Sequence, residues 1–173
     1  MKILIFLRHG KSSWKQEDID DSLRQLKSSG IEEIQEVSAF FAQKKINIDR
    51  VLSSPAIRAY NTSLIFMHAL NIPVSSLVLD ERIYESTAAL IIKSIQRTPD
   101  SVNTLLVVGH NPSLSSTIEH LSSEAYTELP TGALVTLQAP ITSWKEIKKL
   151  SAKKLFQIIP SRHTKKDEHT QDN

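Results

Sequence analysis

Three short segments of this 173-residue chain hold the residues best suited to chemistry. They are Arg8-His9-Gly10, Ser53-Ser54-Pro55 with Arg58 three residues on, and Gly109-His110-Asn111-Pro112. Two arginines and two histidines thus come from three distant places. A guanidinium fork matches the oxygens of a tetrahedral dianion and stays charged at any working pH. A neutral imidazole nitrogen can attack phosphorus and carry the group covalently, and a second, protonated imidazole can stabilise the equatorial oxygens in transfer. Helix N-termini near Pro55 and Pro112 would add N–H donors and positive dipole ends. The same parts suit a metal poorly. Adjacent arginines repel a cation, and no His-Glu-x-x-His or paired-carboxylate pattern occurs.

Taken singly, these residues have ordinary readings. Arg58 alone reads as a surface helix residue, and His68, His120, His163 and His169 read as structural or solvated. The order is what carries the functional reading: apolar strand then Arg-His-Gly, later Ser-Ser-Pro-x-x-Arg, later apolar strand then Gly-His.

The elements that must position them follow from the pattern. Ile3 to Leu7 is a continuous apolar run, the habit of a strand buried on both faces of a parallel sheet. Ser29-Gly30-Ile31-Glu32 has the form of a capping box, and Ile31, Ile34, Val37 and Phe41 predict a helix over about 30–45. Ile48 to Ser53 reads as a strand. Ser54 is the expected N-cap and Pro55 the first residue of a helix with Ile57, Tyr60, Leu64 and Met67 on its apolar face. Leu77–Leu79 and Thr104–Val108 read as strands. Thr87–Gln96 and a segment from Gly109-His110 to about Leu121 read as helices. Ala133–Leu137 and Lys154–Ile159 are strands with no long helix between them, which predicts at least one antiparallel pairing. The expected fold class is α/β, three-layer α/β/α, with a mainly parallel sheet and an antiparallel edge. In such sheets ligands bind beyond the carboxyl ends of the strands, where all three polar clusters fall. Residues 1–160 read as one domain and 161–173 as a polar C-terminal tail.

Composition narrows the classes. The chain is 40% hydrophobic and 23% charged, as soluble globular domains are. It contains no cysteine, which excludes disulfides, thiol nucleophiles and zinc–thiolate sites. Its formal charge of +2 is too even to indicate nucleic acid or membrane as a partner. The apolar run after Met1-Lys2 stops at Arg8, too short for a signal-peptide core, so the expected location is cytoplasmic.

The chain resembles the histidine phosphatase superfamily, whose name-giving motif is the Arg-His-Gly matched by Arg8-His9-Gly10. It is most similar to the small SixA-type branch, the phosphohistidine phosphatases. The likeness runs through FLRHGKSSW (Phe6–Trp14), VLSSPAIRAYNT (Val51–Thr62), IYES (Ile83–Ser86), LLVVGHNPSL (Leu105–Leu114), LPTGALVTL (Leu129–Leu137) and ITSWKEI (Ile141–Ile147). The resemblance implies a phosphoglycerate-mutase-like fold and His9 as the phosphorylated nucleophile. It implies phosphate bound by Arg8, His9, Arg58 and His110, with no metal and no organic cofactor. Where the branch commonly has Asp-Arg-Pro-Leu, this chain has Leu23-Arg24-Gln25-Leu26. No long insertion covers the site, which suits a protein-borne phosphoryl group.

The expected function is hydrolysis of phosphoryl groups, on protein phosphohistidine, through a covalent phosphohistidine intermediate. Phosphate, sulfate, tungstate or vanadate are the expected ligands. The alternatives are a small-molecule phosphomonoesterase or mutase, and a non-catalytic phosphate-binding module. Glu85 is the candidate general acid, with Asp18, Asp20 and Asp21 behind it. A solvated or helix-capping role for Glu85 is the competing reading. Ser12, Ser13 and Trp14 are expected at the pocket rim.

Overall fold

The computed structural model describes residues 1–13, 19–122, 128–148 and 152–164. Trp14, Asp18 and the tail beyond Thr164 lie outside the described residues. Six strands form one sheet: β1 (Lys2–Arg8), β2 (Arg50–Ser53), β3 (Leu77–Leu79), β4 (Thr104–Gly109), β5 (Leu134–Ala139) and β6 (Lys153–Ile158). Their order is β3-β2-β4-β1-β5-β6. Strands β3, β2, β4 and β1 run parallel, while β5 is antiparallel to β1 and β6 antiparallel to β5. The sheet is therefore parallel with an antiparallel edge, as the sequence predicts. The helices are α1 (Ser28–Ala42), α2 (Ile57–Ala69), α3 (Ala88–Gln96), α4 (Ser113–Ser122) and the short α5 (Ser161–Thr164). None of the helices among the described residues is long and apolar enough to cross a membrane.

Alternation along the buried strands builds two cores. Leu4, Phe6, Leu105 and Val107 face Ile91 and Ile95 of α3, Leu114 and Ile118 of α4, and the fully buried Trp144. Ile5, Leu7, Leu106 and Val108 face Ile34, Val37 and Phe41 of α1 and Phe66 of α2. Two helices on each face give the three layers.

Register then delivers the polar clusters to one place. Arg8 pairs with Gly109, and Ser53 pairs with Val108. The His9 N–H donates to Gly109 O at 3.1 Å, and the Ser54 N–H to Val108 O at 3.0 Å. The ends of β1, β2 and β4 are thus locked at the same level.

The helix starts depart from expectation, each for a packing reason. Helix α1 begins at Ser28 with Lys27 as a cap that makes no side-chain hydrogen bond, so the Ser29 capping box does not form. Its start is set by docking: the Lys27 N–H donates to Lys11 O at 2.8 Å, and Gly30 lies against the Lys11 backbone. Ile31 is consequently exposed, and Glu33 and Ser38 join Ile34, Val37 and Phe41 on the buried face. Helix α2 begins at Ile57, two residues after Pro55. Its buried face carries Arg58, Ala59, Thr62, Ser63, Phe66 and Met67, so Ile57, Tyr60 and Leu64 do not define it. Thr62 is buried because its hydroxyl accepts the Gly10 N–H at 3.1 Å, tying α2 to the loop after β1. Thr87 caps α3 by accepting the Leu90 N–H at 3.3 Å.

Gly30 supplies a test. In a helix interior, alanine normally stabilises over glycine by ~0.5–1 kcal/mol. A Cβ at Gly30 would collide with the Lys11 carbonyl oxygen and lie 2.7 Å from its nitrogen. Gly30→Ala is expected to lower the melting temperature by roughly 2–12 °C, the scale of an overpacked contact in a domain of this size. A higher melting temperature would refute the docking argument.

Candidate active site

Gly10 sits so close to α1 that a Cβ would lie 2.6 Å from Gly30 O. That tight turn leaves His9 8% exposed, with its Nδ1 2.8 Å from Gly10 O. A carbonyl only accepts, so Nδ1 carries the proton and Nε2 keeps the lone pair. Burial pushes the His9 pKa down to about 3, against the Gly10 carbonyl and with the help of His110, Arg58 and Arg8. A neutral nucleophilic nitrogen is therefore the resting state.

His110 stands beside it, with ring centroids 5.0 Å apart. Its Nε2 is 2.8 Å from Ser54 Oγ, and that hydroxyl also accepts the Ala56 N–H at 3.3 Å. The hydroxyl proton is then free to point at Nε2, which leaves the His110 proton on Nδ1, a buried nitrogen with no partner among the described residues. Burial, then Arg58, pushes the His110 pKa down to about 4, against the pull of Asp21. The sequence reading has this imidazole protonated; in the free protein it is neutral and offers one N–H. Ser54, expected to cap α2, is committed to His110 instead.

Arg58 is 6% exposed, and its guanidinium is held by Asp21. Nη1 donates to Asp21 O at 2.6 Å and Nη2 to Asp21 Oδ2 at 2.8 Å. The same carboxylate accepts from Arg24 Nη1 at 2.7 Å and from the Tyr84 hydroxyl at 2.9 Å. Burial alone would raise the Asp21 pKa, but the hydrogen bonds from Arg24, Arg58 and Tyr84 outweigh it and hold the group well below the carboxylate range. Tyr84 is pushed up to about 12 by burial and by Asp21, so it stays a donor. Arg24 is fixed further by Ser13 O at 2.9 Å and Ser12 Oγ at 2.8 Å. Arg8 Nη1 donates to Leu129 O at 2.7 Å and to Glu128 Oε1 at 3.1 Å. Both Arg8 Nε and Arg58 Nε are buried donors with no partner among the described residues.

These side chains line a cleft of about 450 Å³. The structure brings together Arg8, His9, Arg58 and His110, with Ser12, Asp21 and Arg24. It does not bring Glu85. That residue is exposed, has a left-handed φ of 46°, and borders an adjoining depression that shares Asp21 with the cleft. The cap it was weighed for is made by Thr87. Among the described residues no cluster of three His, Asp or Glu could hold a metal. Sequence reasoning missed Tyr84 as an anchor of Asp21, and missed Lys11, Lys27, Thr131 and His163 in the cleft wall. Lys11 follows the Arg8-His9-Gly10 motif directly, whereas the others are placed by contacts between distant segments, which no local pattern signals.

A model of the histidine phosphatase superfamily (branch 1) matches residues 4–87. Phosphohistidine phosphatase SixA of Escherichia coli (strain K12) is 32% identical over 113 residues, which cover 65% of this chain and 68% of that protein. An uncharacterized protein of Mycobacterium tuberculosis is 31% identical over 134 residues, which cover 78% of this chain and 81% of its own length. The fold matches that of the protein histidine phosphatase SixA complexed with tungstate, with a TM-score of 0.80 at 23% identity, over 93% of this chain and 99% of that one.

Both buried imidazoles titrate below the ordinary 6.5, at about 3 for His9 and about 4 for His110. The unfolded chain therefore binds more protons below pH ~6.5, and stability falls as pH drops from there toward pH 3–4. NMR should show the His9 and His110 rings neutral throughout pH 5–8, and the denaturant midpoint should decline below pH ~6.5. Titration midpoints near 6.5 would contradict the geometry.

Proposed function

The chain belongs to the histidine phosphatase superfamily, in its SixA-type branch; we propose that within it this protein hydrolyses protein-borne phosphohistidine, without a metal, through a covalent phosphohistidine on His9. The observation that carries the reading is His9 itself. It is neutral, fixed through Nδ1 to Gly10 O, and set in a cleft with two arginines whose Nε donors are buried and have no partner among the described residues.

The proposed steps use only this chain's groups. The phosphoryl oxygens take up the N–H donors of Arg8, Arg58 and His110 Nδ1. The Nε2 lone pair forms a bond to phosphorus as the bond to the leaving nitrogen breaks. The electron pair goes to the substrate imidazole, which departs neutral with the proton it already carries on its other nitrogen. The Gly10 carbonyl stabilises the positive charge that His9 then bears. Water attacks the phospho-enzyme next, giving inorganic phosphate and free His9. Arg8 and Arg58 supply the charge that metal ions supply in other phosphoryl-transfer sites.

The acids available favour an imidazole leaving group over an alkoxide. Among the described residues lining the cleft, Asp21 is the one carboxyl, and it is held ionised by two arginines and a tyrosine. An ester needs a proton delivered to its leaving oxygen, help that is typically worth ~10²–10⁴ in rate. A protonated imidazole needs none. Glu85, outside the cleft lining, has no part in this proposal.

The test is phosphate release from a histidine-phosphorylated protein in the presence of EDTA. His9→Ala is expected to lower the rate by at least ~10³, because only binding and electrostatics remain. Arg58→Ala is expected to weaken tungstate binding by roughly 1.5–3 kcal/mol. A near-normal rate for His9→Ala, or an absolute need for added Mg²⁺, Mn²⁺ or Zn²⁺, would overturn the mechanism.

A further inference from the structure

The cleft carries more positive charge than one phosphoryl group requires. Beyond Arg8 and Arg58, its lining includes Lys11, Arg24, Lys27 and His163. Arg24 is matched by Asp21 at 2.7 Å. Lys11 is exposed and Lys27 half-buried, and neither side chain meets a polar partner or a ring among the described residues.

These residues stand on a built wall. His163, from α5, places Nε2 3.3 Å from Thr131 Oγ1 and 3.5 Å from Glu33 Oε1. Glu33 is only 2% exposed, and its Oε2 accepts the Lys11 N–H at 3.2 Å and the Thr131 hydroxyl at 3.4 Å. Its Oε1 has no hydrogen bond, and a proton on His163 Nε2 is what could meet it. The neighbours hold the same register: the Ser161 N–H donates to Glu36 Oε1 at 3.1 Å, and Arg162 pairs with Glu32 at 3.2 Å. One buried carboxylate therefore ties the loop after β1, the turn before β5 and α5 into a single surface. Gly132 makes room for it, since a Cβ there would lie 3.1 Å from Glu33 Cβ.

We propose that Lys11 and Lys27, on the wall that His163 and Glu33 hold, form a second anion subsite beside the phosphoryl cradle, and that it takes a carboxylate side chain neighbouring the phosphorylated residue of a protein substrate. The proposal rests on the protein-phosphohistidine reading. It makes the substrate surface acidic, since two lysines that meet no carboxylate among the described residues draw in anions and select against neutral or basic partners.

The experiment uses two synthetic peptides, each with one histidine phosphorylated by phosphoramidate, flanked by glutamates in one and glutamines in the other. The full chain is expected to show kcat/KM about tenfold higher on the glutamate peptide at low ionic strength, with the gap closing at about 0.5 M salt. Lys11→Gln with Lys27→Gln should bring the ratio close to one, His163→Gln should lower it part way, and Lys11→Arg with Lys27→Arg should restore it. A wild-type ratio near one, or a ratio untouched by the double glutamine variant, overturns the subsite. If neither peptide is turned over, the phosphohistidine reading fails on its own, and the subsite is read from inhibition. The unphosphorylated glutamate peptide should compete with p-nitrophenyl phosphate, the glutamine peptide should not, and the double glutamine variant should relieve the competition. Equal behaviour of the two peptides there overturns it as well.

Discussion

The parallel pairing of β1 with β4 sets Arg8 opposite Gly109, and with the His9 N–H on Gly109 O it brings His9 and His110 to a ring separation of 5.0 Å. Everything else in the site depends on that register. A one-residue slip would turn Arg8 and His9 to opposite faces of the sheet and put Phe6 or Leu7 at the wrong layer of core. The slip is opposed because β1 is buried on both sides, with Leu4 and Phe6 in one core and Ile5 and Leu7 in the other. The apolar run is thus what aims His9, although none of its side chains lines the cleft.

Burial then sets the electrostatics. Two imidazoles beside two arginines would repel strongly if charged, and desolvation removes that option by keeping both neutral. The arginines remain charged because their pKa lies far above any working pH. Asp21 balances part of this charge on one side, bound at once to Arg24, Arg58 and Tyr84. The result is a site with a preorganised positive field and a neutral imidazole, the combination that the proposed attack on a dianion requires.

Much of this was legible in the sequence, because the pattern and the physics coincide there. Continuous apolar runs marked β1 and β4, and the polar residues just past them marked the site. The antiparallel edge followed from two strands with no long helix between them. The helix starts were misread where local rules met tertiary demands. Ser54 has the chemistry of a cap but is committed to His110, and the Ser29 box yields to the docking of Gly30 on Lys11. The buried face of α2 was missed because Arg58, Thr62 and Ser63 are polar. Glu33, Tyr84 and His163 were invisible for a different reason: each matters only through partners between 22 and 130 residues away, such as Lys11 and His163 for Glu33, Asp21 for Tyr84 and Thr131 for His163.

The proposed mechanism requires that phosphate pass through His9. Rapid-quench trapping of the wild-type chain during turnover of a radiolabelled phosphohistidine protein, in EDTA, measures this directly. The proposed mechanism predicts a transient phospho-enzyme, labile to acid and stable to base, with the label mapping to the peptide that contains His9. Turnover with no label on the enzyme, or label on any residue other than His9, would contradict it.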